Sequence, residues 1–462
     1  MVRWAVRRPS VAPLVDRVDP LHDPLVIVMK FGGTSVGGAP AIQQAVEIVR
    51  SHALRSPVVV VSALAGVTDT LLGMTSDPVG RIADLDALAA RHREVLGGLR
   101  LDQGLLEPVL ADLGQCLRAV WHVGEASPQA TDQIASYGER LSARVFAAAL
   151  SASGVEATAI DASEAGLRTD STFGRARPVP DDGRIRTNLA SKVGVPVVTG
   201  FFGADAAGNI TTLGRDGSDF SAAWIGAALA VEEVQIWTDV AGVHTADPRI
   251  VPSARPIPRM SFADVADLGT FGGRVLHPAA MEPLRQAQIP LCVRSARAPH
   301  AAGTLVQEQV EGVCQAIRAI AHRDNVALIT VRSQRLVPQH AFLSDVFRGL
   351  DAVGCEVGPV AIAEAAVTVA VEDVHAGEVV DALGRHGDVD AAAGRAVVGL
   401  IGDVSLGGLG GISGVLGALT RAGISATCSG LVNMGSGVAL SVPSDQLVAT
   451  VQFLHAECSF ED

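Results

Sequence analysis

The sequence predicts an α/β protein whose main domain is built on a central, largely parallel sheet and is followed by two smaller α+β modules. Three observations carry this. Up to about residue 300, continuously apolar runs of strand length alternate with helical patterns, as they do in a sheet covered on both faces. Beyond that point a strand–helix–strand–strand–helix pattern occurs twice, in units of roughly 65–75 residues, an internal repeat of compact modules. Nowhere do roughly 18 apolar residues run consecutively, so no membrane-spanning helix is expected.

The first strand is 25–31, followed by the glycine-rich 32–38 and a helical pattern over 41–49. A second buried strand, 57–61, ends in Ser62-Ala63-Leu64-Ala65-Gly66-Val67-Thr68. Residues 80–153 show helical periodicity and no strong strand. Further strands are read at 155–160, 195–201 and 233–238, with helices at 218–230 and 276–286. The first repeat has a strand at 325–331, a helix at 341–353, strands at 355–361 and 365–371, and a helix near 374–384. The second has a strand at 396–401, a helix at 411–422, strands at 424–428 and 437–442, and a helix at 444–456. The domains expected are 25–300, 315–391 and 392–462, after a disordered extension over 1–24.

Hydrophobic residues make up 48% of the chain and aromatics 4%, so the core must be built from Ala, Val, Leu and Ile. That apolar content, with 18% charged residues, excludes disorder for most of the chain. Thirty-six basic against 49 acidic residues leave a net charge of −13, which disfavours a general nucleic-acid binder. The six cysteines, at 116, 292, 314, 355, 428 and 458, form no CxxC pair and suggest reduced thiols and a cytoplasmic location. The N-terminus is basic but lacks a secretory apolar segment, and Asn209-Ile210-Thr211 is a glycosylation sequon that nothing else supports. Only two of the 36 basic residues are lysines, Lys30 and Lys192. A sequence so biased toward arginine keeps a lysine where ammonium chemistry is needed or by chance, which makes Lys30 a marked position.

Three constellations could carry chemistry. A strand running into Lys30-Phe31-Gly32-Gly33-Thr34-Ser35 and then a helix suits a phosphate cradle, because glycine lets backbone N–H groups approach an anion. It is neither a Walker A loop nor a dinucleotide fingerprint, and a plain strand-to-helix turn is the bland alternative. In Thr211-Thr212-Leu213-Gly214-Arg215-Asp216-Gly217-Ser218-Asp219, two glycines bracket an arginine just before a helix. Arg215 could grip a carboxylate or phosphate bidentately, or the segment could be an ordinary helix cap. Finally, Trp237-Thr238-Asp239 ends a strand ahead of a turn-rich loop through His244 and Arg249, at the end of a sheet where ligands gather.

These blocks together resemble aspartate kinase, within the amino-acid kinase superfamily. The matching segments are VMKFGGTSVG (28–37), VVSALAGVTD (60–69), SYGERLSA (136–143), TGFFGAD (199–205), TTLGRDGSD (211–219), WTDVAGVHTADPR (237–249) and FGGRVLHP (271–278), in family order. The two C-terminal repeats resemble paired ACT modules of the ferredoxin-like type. The resemblance implies a three-layer amino-acid-kinase domain that uses ATP and Mg2+ to phosphorylate the side-chain carboxylate of L-aspartate, at the head of lysine, threonine and methionine synthesis. By the resemblance, Lys30 and Asp219 are the catalytic pair. Arg215 clamps the substrate α-carboxylate and Glu139 meets its ammonium group. Ser62, Thr68, Phe201, Asp216, Gly217 and Ser218 complete the substrate site. The nucleotide is met by Lys30, Gly32, Gly33, Thr34, Ser35, Thr238, Asp239, His244, Arg249, Arg274 and Val275.

Three positions depart from the family pattern. Asp216 replaces a glycine, His244 a tyrosine, and Arg274 a lysine, the last in keeping with the arginine bias of the chain. In lysine-sensitive relatives an Asp is expected near Gly358 and hydroxyls near residues 361–363, and neither is present. Weak or absent lysine inhibition, or another effector such as threonine, is therefore expected. The ACT pair alternatively serves as a platform for a homodimer or higher oligomer. A pathway-dedicated paralogue and a catalytically silent sensing chain are the other readings, and Lys30 with Asp219 argues against silence.

Overall fold

The computed structural model describes residues 26–77, 83–273, 278–310, 317–333, 339–402, 411–432 and 437–458. The expected N-terminal extension, Arg274, Val275 and Cys314 lie outside the described residues.

The first domain is built on an eight-stranded sheet of β1 (Ile27–Phe31), β2 (Pro57–Val61), β3 (Ala157–Ile160), β4 (Val195–Thr199), β7 (Glu233–Thr238), β8 (Arg259–Ser261), β9 (Leu291–Ser295) and β10 (Thr304–Gln307). Its order is β3-β4-β2-β1-β7-β9-β10-β8, and only the β9–β10 pair is antiparallel. Between β4 and β7, β5 (Phe202–Ala204) and β6 (Ile210–Thr212) form a separate hairpin. The helices of this domain are α1 (Ala39–Ser51), α2 (Val67–Ser76), α3 (Asp84–Gly98), α4 (Glu107–Val123), α5 (Pro128–Ala135), α6 (Tyr137–Ala152), α7 (Ala162–Ala165), α8 (Arg184–Ala190), α9 (Gly217–Leu229), α10 (Phe262–Thr270) and α11 (Pro278–Ala287).

Alternate side chains of β1 feed two cores, as the two-residue period of a strand requires. Ile27, Met29 and Phe31 pack with α1, α2 and α6, whereas Val28 packs with α9 and α11 on the other face. Phe31 stacks on Trp237 at 6.1 Å and meets Phe146 at 5.5 Å, so three of the few aromatics sit together beneath the end of β1. Helices thus cover both faces, the three-layer α/β arrangement the sequence predicts.

The chain winds outward in one direction from β1 to β2 and in the other through β7, so β1 and β7 flank a topological switch point. Ligands of open α/β sheets bind in the crevice beyond the carboxyl ends of such strands. Here those ends are Lys30-Phe31-Gly32 and Trp237-Thr238-Asp239, in register through Phe31 and Trp237.

The C-terminal half forms one six-stranded antiparallel sheet, ordered β12-β13-β11-β14-β16-β15. Its elements are β11 (Ala319–Arg332), α12 (Gln339–Val353), β12 (Val357–Ala363), β13 (Ala366–Glu372), α13 (Ala376–Leu383), β14 (Asp388–Ile401), α14 (Gly411–Arg421), β15 (Thr427–Val432), β16 (Gly437–Pro443) and α15 (Leu447–Glu457). The two repeats share the long strands β11 and β14: residues 319–323 of β11 pair with 397–401 of β14, and 328–332 pair with 388–392. Two cores lie under this sheet. Phe342, Val346, Leu350, Val379 and Leu383 belong to one, and Val415, Leu419, Leu447, Val451 and Leu454 to the other.

Candidate active site

At the end of β1, Gly32 turns the chain into α1. Its carbonyl accepts hydrogen bonds from the amides of Ser35 and Val36 at 2.8 and 3.2 Å, and its own amide reaches the Trp237 carbonyl of β7 at 3.4 Å. Ser35 Oγ donates to that same carbonyl at 3.2 Å, so both strands at the switch point are pinned together. The amides of Gly33 and Thr34 donate to no carbonyl among the described residues, which leaves two N–H groups at the mouth of the crevice. A side chain at Gly33 would stand 3.1 Å from the Ala63 carbonyl, so the loop after β2 closes directly over this turn.

Lys30 and Asp219 are 8% exposed each, and Lys30 Nζ lies 2.5 Å from Asp219 Oδ1, which has no other hydrogen-bond partner among the described residues. Asp219 occupies the first turn of α9, where the helix N-terminus favours a negative charge. The lysine singled out by composition therefore sits buried at the switch point, facing a carboxylate. A side chain at Gly32 would come 3.5 Å from Nζ, so glycine keeps space open beside the ammonium group.

Glu139, on α6, is 3% exposed. Oε1 accepts from the Ala63 amide at 3.0 Å, whereas Oε2 is buried without a partner. Burial pushes its carboxyl up to about 8, against the pull of the Ala63 amide. As a helix residue it could have been solvated; instead it is a buried acid with one orphan oxygen, the position a cationic ligand group would complete. Ser62, half-buried on the loop after β2, precedes Ala63, and Thr68, also half-buried, stands in the first turn of α2.

The loops after β4 and β6 meet over the same end of the sheet. Phe201 adopts φ +72°, a left-handed backbone that is strained for a bulky side chain. It is held by its amide on Ser221 Oγ (3.1 Å) and its carbonyl on the Leu213 amide (2.8 Å). A side chain at Gly217 would meet Phe201 at 3.1 Å, and one at Gly200 would strike Ser218 at 2.6 Å, which accounts for both glycines. Asp216 stands at φ +57°, so the family glycine it replaces has a backbone reason; Asp tolerates this region better than most residues. Sequence reasoning missed Asp132. This buried acid accepts from the Thr212 amide (2.7 Å), the Thr212 hydroxyl (2.8 Å) and the Gly174 amide (2.9 Å), and so ties α5 to the strand that launches the Arg215 loop.

Arg215 itself points away from the crevice. It is exposed and pairs with Glu356, just ahead of β12, at 3.2 Å; Arg323 pairs with the same carboxylate at 2.7 Å. Nearby, Arg175 pairs with Asp351 of α12 at 3.1 Å. The structure brings Lys30, Gly32, Gly33, Thr34, Ser35, Asp219, Thr238 and Asp239 to one end of the sheet. His244 is half-buried with Nδ1 3.1 Å from the Gly242 carbonyl, and Arg249 is exposed in a bidentate pair with Asp247.

Comparison with known proteins agrees with this geometry. Residues 26–295 match the model of the amino acid kinase family. The chain is 33% identical to the lysine-sensitive aspartokinase 3 of Escherichia coli, over 93% of this chain and 98% of that one. It is 32% identical to the chloroplastic aspartokinase 1 of Arabidopsis thaliana, over 82% and 71% of the two chains. Among solved structures it matches E. coli aspartokinase III in complex with aspartate and ADP, with a TM-score of 0.80 at 32% identity, covering 94% of this chain and all of that one. The lysine- and aspartate-bound T-state of the same enzyme matches with a TM-score of 0.77. With relatives aligned across both the kinase domain and the C-terminal modules, this chain belongs to the aspartokinases of the amino acid kinase family.

Proposed function

We propose that this chain transfers the γ-phosphoryl group of ATP to the side-chain carboxylate of L-aspartate, with Lys30 and Asp219 as its catalytic pair. A carboxylate oxygen of aspartate attacks the γ-phosphorus. The new O–P bond gives 4-phospho-L-aspartate as the bond to the bridging β,γ-oxygen breaks and ADP leaves. Charge stabilisation and placement do most of the catalytic work in such a transfer. Lys30 supplies a buried positive charge to the transferred group, and the amides of Gly33 and Thr34 support the phosphates. Asp219 orients Lys30. Thr238, Asp239, His244 and Arg249 form the nucleotide side.

The substrate is held by its backbone groups, which leaves its side chain free to attack. Glu139 takes the ammonium group on its unpartnered oxygen. Arg215 takes the α-carboxylate once it leaves Glu356, with Ser62, Thr68, Phe201, Gly217 and Ser218 shaping the pocket and Asp216 at its rim. Among the described residues no group of three His, Cys, Asp or Glu side chains could hold a metal ion, and Asp219 is already engaged by Lys30. The magnesium ion that accompanies ATP would be held by phosphate oxygens, water and at most one or two carboxylates at this end of the sheet, and would offset phosphate charge.

The observation that carries the reading is the buried Lys30–Asp219 pair beside the Gly32–Gly33 turn at the switch point. The test is MgATP turnover with L-aspartate, with the acyl phosphate trapped by hydroxylamine and glutamate run alongside. Aspartyl hydroxamate formed only with aspartate supports the reading. Its absence from folded, ATP-binding protein refutes it. The C-terminal pair is the effector platform and the dimer contact in this reading.

A further inference from the structure

The loop that carries His244 and Arg249 is built into the C-terminal module. Ala246 and Val251 are 3% and 5% exposed and pack in the core of that module with Ile320, Leu400, Val451 and Leu454. Between them and β7, Thr245 is buried and bonded on every side. Its amide donates to the Arg255 carbonyl at 2.9 Å, its carbonyl accepts from the Ile320 amide at 2.8 Å, and its Oγ1 accepts from the Arg255 amide at 3.1 Å. That hydroxyl also meets His455 Nε2 of α15, at 2.9 Å. One turn earlier on α15, Gln452 Nε2 donates to the Ile250 carbonyl at 2.9 Å. Burial, then the nearby Arg255 charge, holds the His455 pKa below its ordinary value, so the imidazole is neutral and carries one donor and one acceptor nitrogen. Two contacts from a single face of the last helix therefore each fall on the residue directly after one of the two nucleotide-side residues.

We infer that His455 is a positioning residue for the nucleotide: through the Thr245 hydroxyl, α15 sets the backbone from which His244 and Arg249 reach ATP. His455 touches no reacting atom. It acts at a distance, through a loop clamped between two domains, and makes the C-terminal module a structural part of the nucleotide site. Loss of the contact loosens ATP and leaves the aspartate pocket, on the far side of β1, as it was. The inference rests on the reading that residues 238–249 meet the nucleotide.

The test compares wild type, His455→Ala, His455→Gln, Thr245→Val and the His455→Ala/Thr245→Val double variant in the hydroxamate assay. ADP affinity is measured in parallel by calorimetry, and the thermal midpoint is taken for each protein. The expected result for His455→Ala is a rise of about fivefold in KM for ATP and in the ADP dissociation constant, the factor one hydrogen bond is worth. KM for aspartate and kcat stay near wild type, the signature of lost nucleotide binding alone. The amide of His455→Gln restores most of the loss, and the double variant is no worse than its more impaired single parent. Thr245→Val reads the same contact from its other end should His455→Ala not fold. Unchanged ATP and ADP constants in folded His455→Ala overturn the inference. So does a parallel rise in both substrate constants that His455→Gln fails to rescue, because that marks a general loss of structure. A wild-type protein that forms no hydroxamate overturns the functional reading, and this inference with it; turnover in the wild type separates the two failures.

Discussion

Glu139 offers the sharpest test of the substrate site. Its carboxyl titrates near 8 rather than 4.5 because it is buried with one oxygen unpaired. A shift of that size corresponds to roughly 5 kcal/mol of cost for carrying the charge in an empty pocket, at ~1.36 kcal/mol per unit. The folded-state value lies above the unfolded one, so this group's contribution to the stability of the ligand-free protein is fully present below about pH 4.5 and is lost progressively as pH rises through about 8. The substrate ammonium group reverses this by favouring the ionised carboxylate. Aspartate binding should therefore release a proton below pH 8, and KM for aspartate should fall about tenfold between pH 7 and pH 9, following the ionised fraction of one acid. Calorimetry in buffers of different ionisation enthalpy would read the proton directly. Glu139→Gln keeps the shape and removes the charge. It should raise KM for aspartate by roughly 100-fold, as expected when one partner of a buried charge pair is removed, and abolish the pH trend. The same variant should melt no lower than wild type at pH 9, since the buried charge is gone. A flat KM from pH 6.5 to 9, or a Glu139→Gln variant with near-normal aspartate use, would refute the assignment of Glu139 to the ammonium group.

Other outcomes follow from the same geometry. Lys30→Ala should cut kcat by roughly a thousandfold or more, measured as hydroxamate formation, because it removes a buried positive charge beside the transferred group. Glu356→Gln should release Arg215 from its cross-domain pair and lower KM for aspartate no more than about fivefold, since the pair is exposed, with the difference shrinking in high salt. A lysine titration should show no sub-millimolar inhibition, because Gly358 and the alanines at 361 and 363 supply no carboxylate or hydroxyl where the resemblance leads one to expect them.

Much of the kinase domain was legible in the sequence because its inner strands are short, apolar and bounded by glycine. β1, β2 and β7 fall within a residue or two of their expected limits, as does α9. The outer half of the sheet was not legible. β8, β9 and β10 are three to five residues long, and Leu291-Cys292-Val293-Arg294-Ser295 carries an arginine and follows a proline, so no alternation marked it as a strand. β11 and β14 were each read at about half their length. His322-Arg323-Asp324-Asn325 looks like a turn, yet it continues the strand through a register shift, with Asn325 at φ +53°. At the site, residue types marked Lys30 and the glycines, but burial is a property of the folded chain. Neither the unpaired Glu139 oxygen nor the capture of Arg215 by Glu356 leaves a trace in local sequence, because each joins residues more than 70 positions apart.

The sharing of β11 and β14 has a consequence for the evolution and engineering of the chain. Val326 of β11 faces Arg395 of β14, so the chain departs from and returns to nearly the same point. Everything between them forms a loop excursion with its own core, tied to the kinase domain at its surface by Asp351 and Glu356, and nested inside a module whose first strand is laid down before it and whose remainder comes after it. Such an excursion could be exchanged whole at this neck for another sensor without breaking the outer module or its grip on the kinase domain. Cutting the chain in two between the repeats would instead strip residues 319–323 of the strand they pair with. The natural unit of transplantation is thus the inner loop, not either half of the visible repeat.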